Sequence, residues 1–356
     1  MATIEHLASA SPADADVVAL LTDVFDRYRS ERPAPAATVD LDRALWARLE
    51  SLGLTRLSTP EAAGGSGGTW LEAAALLSIS AAAGAPIPVA EHDVLAAWLL
   101  AAAGLPHDGD LRTVCRPDPS GVAINVTWAR DASAVVALWE DRDEWRVADV
   151  PVDRVVITEG RNLAGEPCDT VEFDLDDLEE GTVVDHEIGE QFHLRGALAR
   201  SAQVVGAMER ILEIVLVHAG EREQFGRPIG RFQAVQHLIA DIAMETSLAR
   251  AATDTAVARA AASDWRDPGM LFAVAVAKSC AGHAASVVVR GSHQVLGAIG
   301  TTLEHELHVL TRPILVRRSE FGSVHEWDET LATLAASAGR DRLWSLITTG
   351  RAGSRR

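Results

Sequence analysis

The feature that most constrains this chain is a helix, corner and helix near its middle, residues 221–243. Gly226 ends one helical run, a proline stiffens the turn, and a second run with regularly spaced apolar residues opens at Phe232. Arg222 and Phe225 lie about one turn apart at this helix end, which suits a ligand with an anionic group and a flat ring system. A structural interpretation is equally open, in which Arg222 caps the helix carbonyls while Phe225 and Phe232 plug the corner.

Helical patterns dominate both ends of the chain, and strand patterns occupy the part between them. Residues 12–105 carry helical periodicity interrupted by a glycine-rich loop. Between 107 and 185, short valine-rich alternating segments are separated by Pro, Gly and Asp clusters, which predicts a small antiparallel β domain. We therefore predict three domains, at residues 1–106, 107–188 and 189–356.

The last of these domains is predicted to be a bundle of three or four long antiparallel helices. One helix covers residues 194–218, with Gly206 as a close-packing point, and the next covers residues 232–263. An Asp-Pro pair at 267–268 favours the start of a third helix, and a fourth spans roughly 324–347. Such a bundle buries its apolar stripes against itself and usually against a second copy of the chain.

Charge and composition narrow the classes of partner. The formal net charge of -19 argues against nucleic acid and against an anionic membrane, since both require a positive surface. The sequence has no uninterrupted apolar run of about 18 residues and no signal-peptide pattern at its start, so we expect a cytoplasmic protein without membrane insertion. Cys115, Cys168 and Cys280 lie far apart without CxxC spacing, which predicts buried thiols rather than a disulfide framework or a zinc site.

A second candidate ligand site follows the third predicted helix, in the segment HQVLGAIG. Closely spaced glycines after Gln294, at Gly297 and Gly300, let a ligand approach the backbone and leave amide donors free. A simple helix stop explains the same pattern. The nearby segment EHELH has its two histidines three residues apart rather than four, which does not match the zinc motif HExxH, so no metal site is predicted.

These motifs together resemble the acyl-CoA dehydrogenase family. Residues 222–236 resemble the RxxFG, P and FQxxQ signature that opens the family's C-terminal helical domain, and residues 60–65 resemble its PExxGG element. Residues 294–300 resemble the QxxGGxG segment, with Ala298 in place of the second glycine. The resemblance implies FAD as cofactor, held partly across a subunit interface. The residues that match the family's FAD contacts are Arg222, Phe225, Gln233, Gln294, Gly297 and Gly300.

The resemblance also implies a fold and a reaction. The fold is mainly α, with an N-terminal helical domain, a middle antiparallel β domain and a C-terminal four-helix bundle. Desaturation of an acyl-CoA thioester requires a carboxylate to take the α proton while flavin N5 accepts the β hydride. An ungapped count places Phe321 at the usual position of this base, with Glu320 one residue before it.

We therefore assign Glu320 as the catalytic base, with Glu304 as the weaker candidate. The alternative for Glu320 is a solvated side chain beside Arg317 and Arg318. A minority of family members place the base elsewhere, near residues 260–264 of this chain, where only an aspartate lies nearby.

Two segments of the predicted β domain depart from the family pattern. Residues 115–121 keep little of the TEPxxGSD-like segment that touches substrate and flavin. Residues 126–129 stand where a Trp-Ile-Thr segment faces the flavin ring; Thr127 or Trp128 could reach the ring, but the alternating pattern favours Trp128 as a core residue. The string EHELHVLTR resembles actinobacterial-type subunits that work in pairs on steroid side chains and similar bulky acyl-CoAs.

Two functions follow. In the first, the chain is an FAD-dependent acyl-CoA dehydrogenase with an acyl-CoA substrate and an electron acceptor flavoprotein as partner. In the second, it is a catalytically degenerate partner subunit that lends FAD contacts or structure to another chain. In either case we expect a homo- or hetero-oligomer, a dimer or tetramer of related subunits.

Overall fold

The computed structural model describes residues 13–31, 36–179 and 181–351. Packing divides the chain into two compact units. The bundle unit comprises Met1–Pro35, Ala74–Gly84 and Ala197–Arg356, and the mixed unit comprises Ala36–Ala73 and Ala85–Gly196. This division interleaves segments of the chain, so the three predicted domain boundaries remain predictions.

The N-terminal part is helical, as predicted. Its helices are α1 (Ala15–Glu31), α2 (Arg43–Ser51), α3 (Trp70–Ala82) and α4 (Trp98–Ala102). The sequence predicts one ordinary helix across 91–103, but the stretch Ala90–Ala97 is π-helical and runs directly into α4. All of the π-helical residues are buried, including the consecutive polar residues Glu91, His92 and Asp93. A π-helical turn widens the helix, and such turns occur frequently at functional sites.

The mixed unit contains seven strands within its described residues 112–184. They are β1 (Arg112–Cys115), β2 (Val122–Thr127), β3 (Ala134–Asp141), β4 (Glu144–Pro151), β5 (Val155–Thr158), β6 (Cys168–Phe173) and β7 (Thr182–Val184), with the short helix α5 (Leu175–Glu179) before β7. One sheet has the order β1-β3-β4-β7 and the other the order β2-β6-β5.

One strand pairing differs from the antiparallel prediction. Strand β1 pairs with β3 in parallel, while the other pairings of the two sheets are antiparallel. The parallel pair arises because the chain leaves β1, forms β2 in the other sheet and then returns as β3. Alternating patterns reveal strands but not their order in a sheet, so this crossover could not be deduced from periodicity.

The burial of Trp128 and of the three cysteines tests two predictions from the sequence. Trp128 is 4% exposed and packs with Leu41, Leu111 and Ala132, so it is a core residue as the alternating pattern favours. Of the three free cysteines, one is buried and two are only partly buried, which corrects the expectation of three buried thiols.

Five helices lie in the described C-terminal part of the chain, residues 188–349. They are α6 (Ile188–Glu221), α7 (Gln233–Ser263), α8 (Met270–Leu296), α9 (Leu307–Arg317) and α10 (Val324–Thr349). The predicted start at the Asp-Pro pair is too early, because Asp267 Oδ1 accepts a hydrogen bond from the Gly269 amide at 2.7 Å in the turn before α8. Helix α10 is kinked at Gly339, whose φ is 67°.

Helix α8 lies at the centre of the bundle. Its residues share one apolar core with α6, α7 and α9. By length and composition the stretch Met270–Thr301 is apolar enough to cross a membrane, but 61% of its apolar window is buried inside the protein. Gly206 is a close-packing point, as predicted, since a Cβ there would overlap the Ser78 carbonyl oxygen.

Candidate functional site

The corner between α6 and α7 is a tight hairpin rather than a direct helix stop. Helix α6 ends at Glu221, before the predicted end at Gly226, and the two-residue strands β8 (Glu223–Gln224) and β9 (Arg227–Pro228) follow. Phe225 and Gly226 connect these strands with φ angles of 52° and 76°. Two consecutive residues with positive φ are typical of a type I′ turn, which sequence periodicity does not reveal.

Of the two phenylalanines at the corner, Phe225 is open to solvent and Phe232 is half-buried. Phe225 is 92% exposed and meets Phe232 edge to face, with ring centroids 6.0 Å apart. The Arg227 guanidinium lies 4.3 Å from the centre of the Phe232 ring. The Arg222 carbonyl accepts a hydrogen bond from the Ile229 amide at 2.8 Å. Phe225 therefore does not plug the corner, and the Arg222 carbonyl, just after the helix, is satisfied by the backbone of the hairpin.

The polar side chains predicted to contact FAD at this corner, Arg222 and Gln233, are also exposed. The pKa of nearby His218 is lowered, mainly by burial and further by His305 and Arg222. Arg222, Arg227 and Arg231 supply exposed cations at this corner, alongside the acidic side chains Glu221 and Glu223. Its exposed ring and cationic side chain suit a flat ligand that carries phosphate groups.

The end of α8 lies at the same end of the bundle as this corner. A Cβ at Gly291 of α8 would lie 3.0 Å from Ile242 Cγ1 of α7, which sets the two helices side by side. Closer to the corner than this contact, Ile229 and Val235 belong to the same apolar core as Leu296 of α8. The structure thus brings the two predicted FAD-contact segments to one end of the bundle.

In the second predicted FAD-contact segment, at the end of α8, each glycine meets a different structural requirement. Gln294 and Gly297 are exposed, and Gly297 ends the helix with φ 65° while its amide donates to the His293 carbonyl. A Cβ at Gly297 would have no neighbour within 4 Å, so the backbone is accessible to a ligand. Gly300 is needed for packing, because a Cβ there would lie 2.8 Å from Leu296 Cβ. Assignment of the six residues to FAD remains a prediction.

Glu320 lies in the turn between α9 and α10 and forms an ion pair with a partner that the sequence did not suggest. Its Oε2 is 2.5 Å from Nε of Arg200, which is buried on α6. Without a catalytic role, Glu320 is predicted from the sequence to be a solvated side chain beside Arg317 and Arg318. Arg318 instead donates a hydrogen bond to the Ser286 hydroxyl at 2.7 Å. Glu320 therefore belongs to a half-buried ionic cluster rather than to a solvated loop.

A buried lysine completes this cluster. Lys278 of α8 is 2% exposed, and its Nζ donates a hydrogen bond of 2.7 Å to the carbonyl of Arg317, the last residue of α9. Burial lowers the pKa of Lys278 to about 7, Arg200 lowers it further and Glu320 opposes the shift. This cluster is not among the candidate sites that the sequence patterns predict, although a lone lysine inside the apolar run AVAVAKSCAG is a detectable signal.

The catalytic candidate and the predicted FAD contacts lie at different levels of the bundle. Lys278, which neighbours Glu320, is separated from Gln294 by about 24 Å along α8, at 1.5 Å per residue. The weaker base candidate, Glu304, is exposed. Among the described residues no group of His, Cys, Asp and Glu side chains is arranged to hold a metal ion.

In the mixed unit, the π-helical stretch carries polar contacts that periodicity did not reveal. The Thr127 hydroxyl donates to Glu91 Oε1 at 3.0 Å. Asp93 accepts hydrogen bonds from the Ser58 amide and from the Thr59 amide and hydroxyl. Burial nevertheless raises the pKa of Asp93 to about 6, with these hydrogen bonds opposing the shift. These bonds tie the π-helical stretch to the loop after α2 and to β2.

Comparison with known proteins gives matches over most of the chain. The family model described as "Acyl-CoA dehydrogenase, N-terminal domain" matches residues 19–107, and "Acyl-CoA dehydrogenase, C-terminal domain" matches residues 191–324. Benzylmalonyl-CoA dehydrogenase of Aromatoleum aromaticum is 30% identical over 348 residues, which cover 83% of this chain and 91% of that protein.

Two further matches concern proteins of Mycobacterium tuberculosis. The acyl-CoA dehydrogenase FadE34 is 30% identical over 321 residues, which cover 85% of this chain but only 44% of FadE34. The crystal structure of the ChsE4-ChsE5 complex superposes with a TM-score of 0.80 at 22% identity, covering 92% of this chain and 99% of the matched chain. At this identity the structural match establishes the fold.

Proposed function

Since the chain belongs to the acyl-CoA dehydrogenase family of flavoprotein oxidoreductases, we propose that it is an FAD-dependent enzyme that desaturates an acyl-CoA thioester between its α and β carbons. The observation that carries this proposal is the open corner between α6 and α7. Phe225 projects into solvent on a left-handed backbone instead of packing inward. A phenylalanine that is 92% exposed next to an exposed arginine offers a flat, phosphate-bearing ligand both a ring contact and a cation, which supports a ligand-binding role.

The residues at this end of the bundle fit a dinucleotide. Arg222 would pair with the diphosphate, Phe225 would contact a ring system, and the Gln233 and Gln294 side chains would supply hydrogen bonds. Gly297 would let the ligand reach the backbone. Because this end lies about 24 Å from the level of Lys278 along α8, we propose that the corner serves FAD shared with a neighbouring subunit.

The proposed base is Glu320, which would hold the α proton of the acyl thioester on a carboxylate oxygen. When bound, FAD supplies the hydride acceptor for the β carbon. Arg200 holds this carboxylate in position through the ion pair at Oε2. Proton transfer to that oxygen would therefore require the contact with Arg200 to open.

This ion pair also favours a second candidate function. The buried Arg200 guanidinium occupies the Oε2 side of the Glu320 carboxylate, which supports a partner subunit that contributes FAD contacts or structure but no chemistry. The ChsE4-ChsE5 structure is a complex of two differently named proteins, which is consistent with such a pairing. The chain spans less than half the length of FadE34.

Both candidates place the chain in an oligomer of related subunits. For the active enzyme we propose a dimer or tetramer, homomeric or heteromeric, that passes electrons to an acceptor flavoprotein. The first test is colour. Purified protein with flavin absorbance at one FAD per chain supports the active enzyme. Colourless protein that turns yellow only with a second gene product supports the partner subunit, and colourless protein under both conditions contradicts the FAD proposal.

The corner itself is tested with Arg222→Gln. A lost charge-assisted hydrogen bond weakens FAD binding by about 10- to 100-fold, corresponding to roughly 1.5–3 kcal/mol. Arg231→Gln is the matched control, because Arg231 is an exposed arginine of the same corner without a predicted FAD contact. FAD affinity is measured by flavin fluorescence with the complete assembly. Equal affinity in wild type and Arg222→Gln would remove Arg222 from the site.

The base is tested with Glu320→Gln. Reduction of an artificial electron acceptor is followed with a panel of acyl-CoAs, and loss of a general base lowers turnover by at least about 100-fold. Unchanged turnover in Glu320→Gln would show that another residue, or another subunit, supplies the base.

A further inference from the structure

The only lysine of the 356-residue sequence, Lys278, is one of the largest fully buried side chains of the protein. An amino group is almost never fully buried without a partner, because desolvation disfavours its charged form. Its partner is the carbonyl oxygen of Arg317, at 2.7 Å. The last carbonyls of a helix lack partners within the helix and carry partial negative charge, so Lys278 acts as a side-chain cap for the C-terminus of α9.

The turn that follows α9 is held in an uncommon conformation. Phe321 has φ 53° and Gly322 has φ 98°, and a positive φ is strained for a phenylalanine. The indole Nε1 of buried Trp327 donates a hydrogen bond of 3.0 Å to the Phe321 carbonyl, which holds the turn from the α10 side. Ser323 caps α10 through a capping box with Glu326. The α10 end of the turn is therefore fixed.

A second buried cation holds the turn from α6. Arg200 contacts the Glu320 carboxylate at 2.5 Å, donates a hydrogen bond to Gln203 Oε1 at 2.9 Å, and lies 5.8 Å from the centre of the Phe321 ring. Glu320 raises the pKa of Lys278 while Arg200 lowers it. Arg200 of α6 and Glu320 of the turn are thus the charged groups that face the lysine.

We propose that Lys278 is the positioning residue of the turn at residues 318–323, which we call the Glu320 turn. By holding the Arg317 carbonyl, the Lys278 amino group fixes the end of α9. The Glu320 carboxylate then keeps the single orientation in which Arg200 contacts it. We call this contact of Lys278 with the end of α9 the clamp. The role of Lys278 in turnover rests on the proposed function of Glu320 as base. The clamp itself does not, because it concerns only contacts within the bundle unit.

The clamp has an electrostatic consequence. The carboxylate of Glu320 favours the ammonium form of Lys278, and the Arg200 guanidinium disfavours it. With a pKa of about 7, the amino group gains or loses its proton near neutrality. Both forms retain an N–H donor for the Arg317 carbonyl, but the charged form interacts more strongly with the helix end. Removal of either neighbouring charge must therefore change the titration of Lys278, in opposite directions.

A lysine-specific label makes this measurable, since a full-length chain grown with 15N-labelled lysine side chains gives one Nζ signal. In Glu320→Gln the titration midpoint of that signal falls by roughly one pH unit, the usual effect of losing one opposite charge nearby. In Arg200→Gln it rises by a similar amount. Midpoints that stay at the wild-type value in both variants would overturn the clamp.

Hydrogen exchange tests positioning directly. In Lys278→Met the amides of residues 318–323 exchange about tenfold faster than in wild type, the factor expected for one lost hydrogen bond. Ser279→Ala is the matched control, because the Ser279 hydroxyl donates to Asp328 from the neighbouring position of the same helix. The control leaves exchange in the turn unchanged. Equal exchange in wild type and Lys278→Met would overturn the proposal, and the titration measurements decide if Lys278→Met does not fold.

The catalytic role is separated from the clamp by measuring turnover in the complete assembly. If Glu320 is the base, Lys278→Met lowers kcat for an acyl-CoA and changes its pH profile while KM stays close to wild type. If Glu320→Gln leaves turnover unchanged, the proposed base is wrong, but the titration and exchange results still establish or overturn the clamp.

Discussion

At the scale of single residues, the placement of charge inside the bundle unit is unusual. Lys278 is the one lysine of a chain with 32 basic residues, and it is buried rather than solvated. Burial lowers its pKa to about 7 from the ordinary value of 10.5. The unfolded chain therefore binds the lysine proton more tightly than the folded protein does, and folding must release or desolvate that proton.

The first prediction concerns this linkage. Because the folded pKa is depressed, the stability contribution of Lys278 is complete above pH 10.5 and is lost as the pH falls to about 7. Within that window the difference in free energy of unfolding between wild type and Lys278→Met changes by up to about 1.4 kcal/mol per pH unit. Urea unfolding at pH 7.5 and pH 9 measures it. A difference that does not change between these pH values would contradict a depressed pKa.

At the scale of elements, helices of the bundle unit approach each other closely at glycine residues. Gly206 of α6 faces the backbone of α3 at Ser78, and Gly291 of α8 faces Ile242 of α7. Glycine is poor in a helix interior, at roughly 1 kcal/mol less favourable than alanine. Its presence at a helix crossing is therefore explained by packing rather than by helix propensity.

The second prediction compares two glycines of the same helix. In Gly206→Ala the added methyl group overlaps the Ser78 carbonyl, and overpacking of this kind lowers the free energy of unfolding by about 1–3 kcal/mol. Gly220→Ala is the control, since its added methyl group meets nothing within 4 Å and improves helix propensity. Chemical unfolding of both variants checks the sign. A Gly206→Ala protein as stable as Gly220→Ala would show that α3 and α6 can separate at no cost.

At the scale of the whole molecule, an acidic chain is proposed to bind an anionic cofactor. The net charge of -19 repels FAD at distances beyond the reach of individual arginines, whereas Arg222 and its neighbours attract it at short range. At low ionic strength the long-range repulsion extends over about 30 Å, and at physiological salt over about 8 Å. Salt therefore acts mainly on the approach of the ligand.

The third prediction follows from this balance. The association rate of FAD with the cofactor-free assembly rises at least about twofold as ionic strength increases from about 0.01 M to 0.15 M, because salt screens the global repulsion. Stopped-flow flavin fluorescence measures the rate, with a neutral osmolyte at equal osmolality as control. A rate that falls with salt would mean that the local arginines dominate the approach.

Much of the fold could be predicted because it is written in local patterns. Helical and alternating periodicities predict the helical and β regions, and the presence of Gly206 inside a predicted helix indicates a close helix crossing. The motif from Arg222 to Gln236 and the segment from Gln294 to Gly300 identified the family that the comparisons show. These features depend on residues that are near one another in sequence, so one sequence suffices to detect them.

The candidate base illustrates where such reasoning stops. The sequence suggested Glu320 by its position but offered only the adjacent arginines as partners. The structure pairs it with Arg200 of α6 and brings Lys278 of α8 to the same cluster. Partners from distant parts of the chain meet only when the helices pack, and the side-chain types alone do not specify which faces will meet.

By itself, the sequence determined the type of each region, the corner motif and the family, since backbone propensity and apolar periodicity act over a few residues. Only the tertiary structure decided that β1 pairs in parallel with β3, that Phe225 stands in solvent, and that the single lysine is buried beside the Glu320 turn. These outcomes depend on which distant surfaces exclude water together, and that choice is made by the packing of the whole chain.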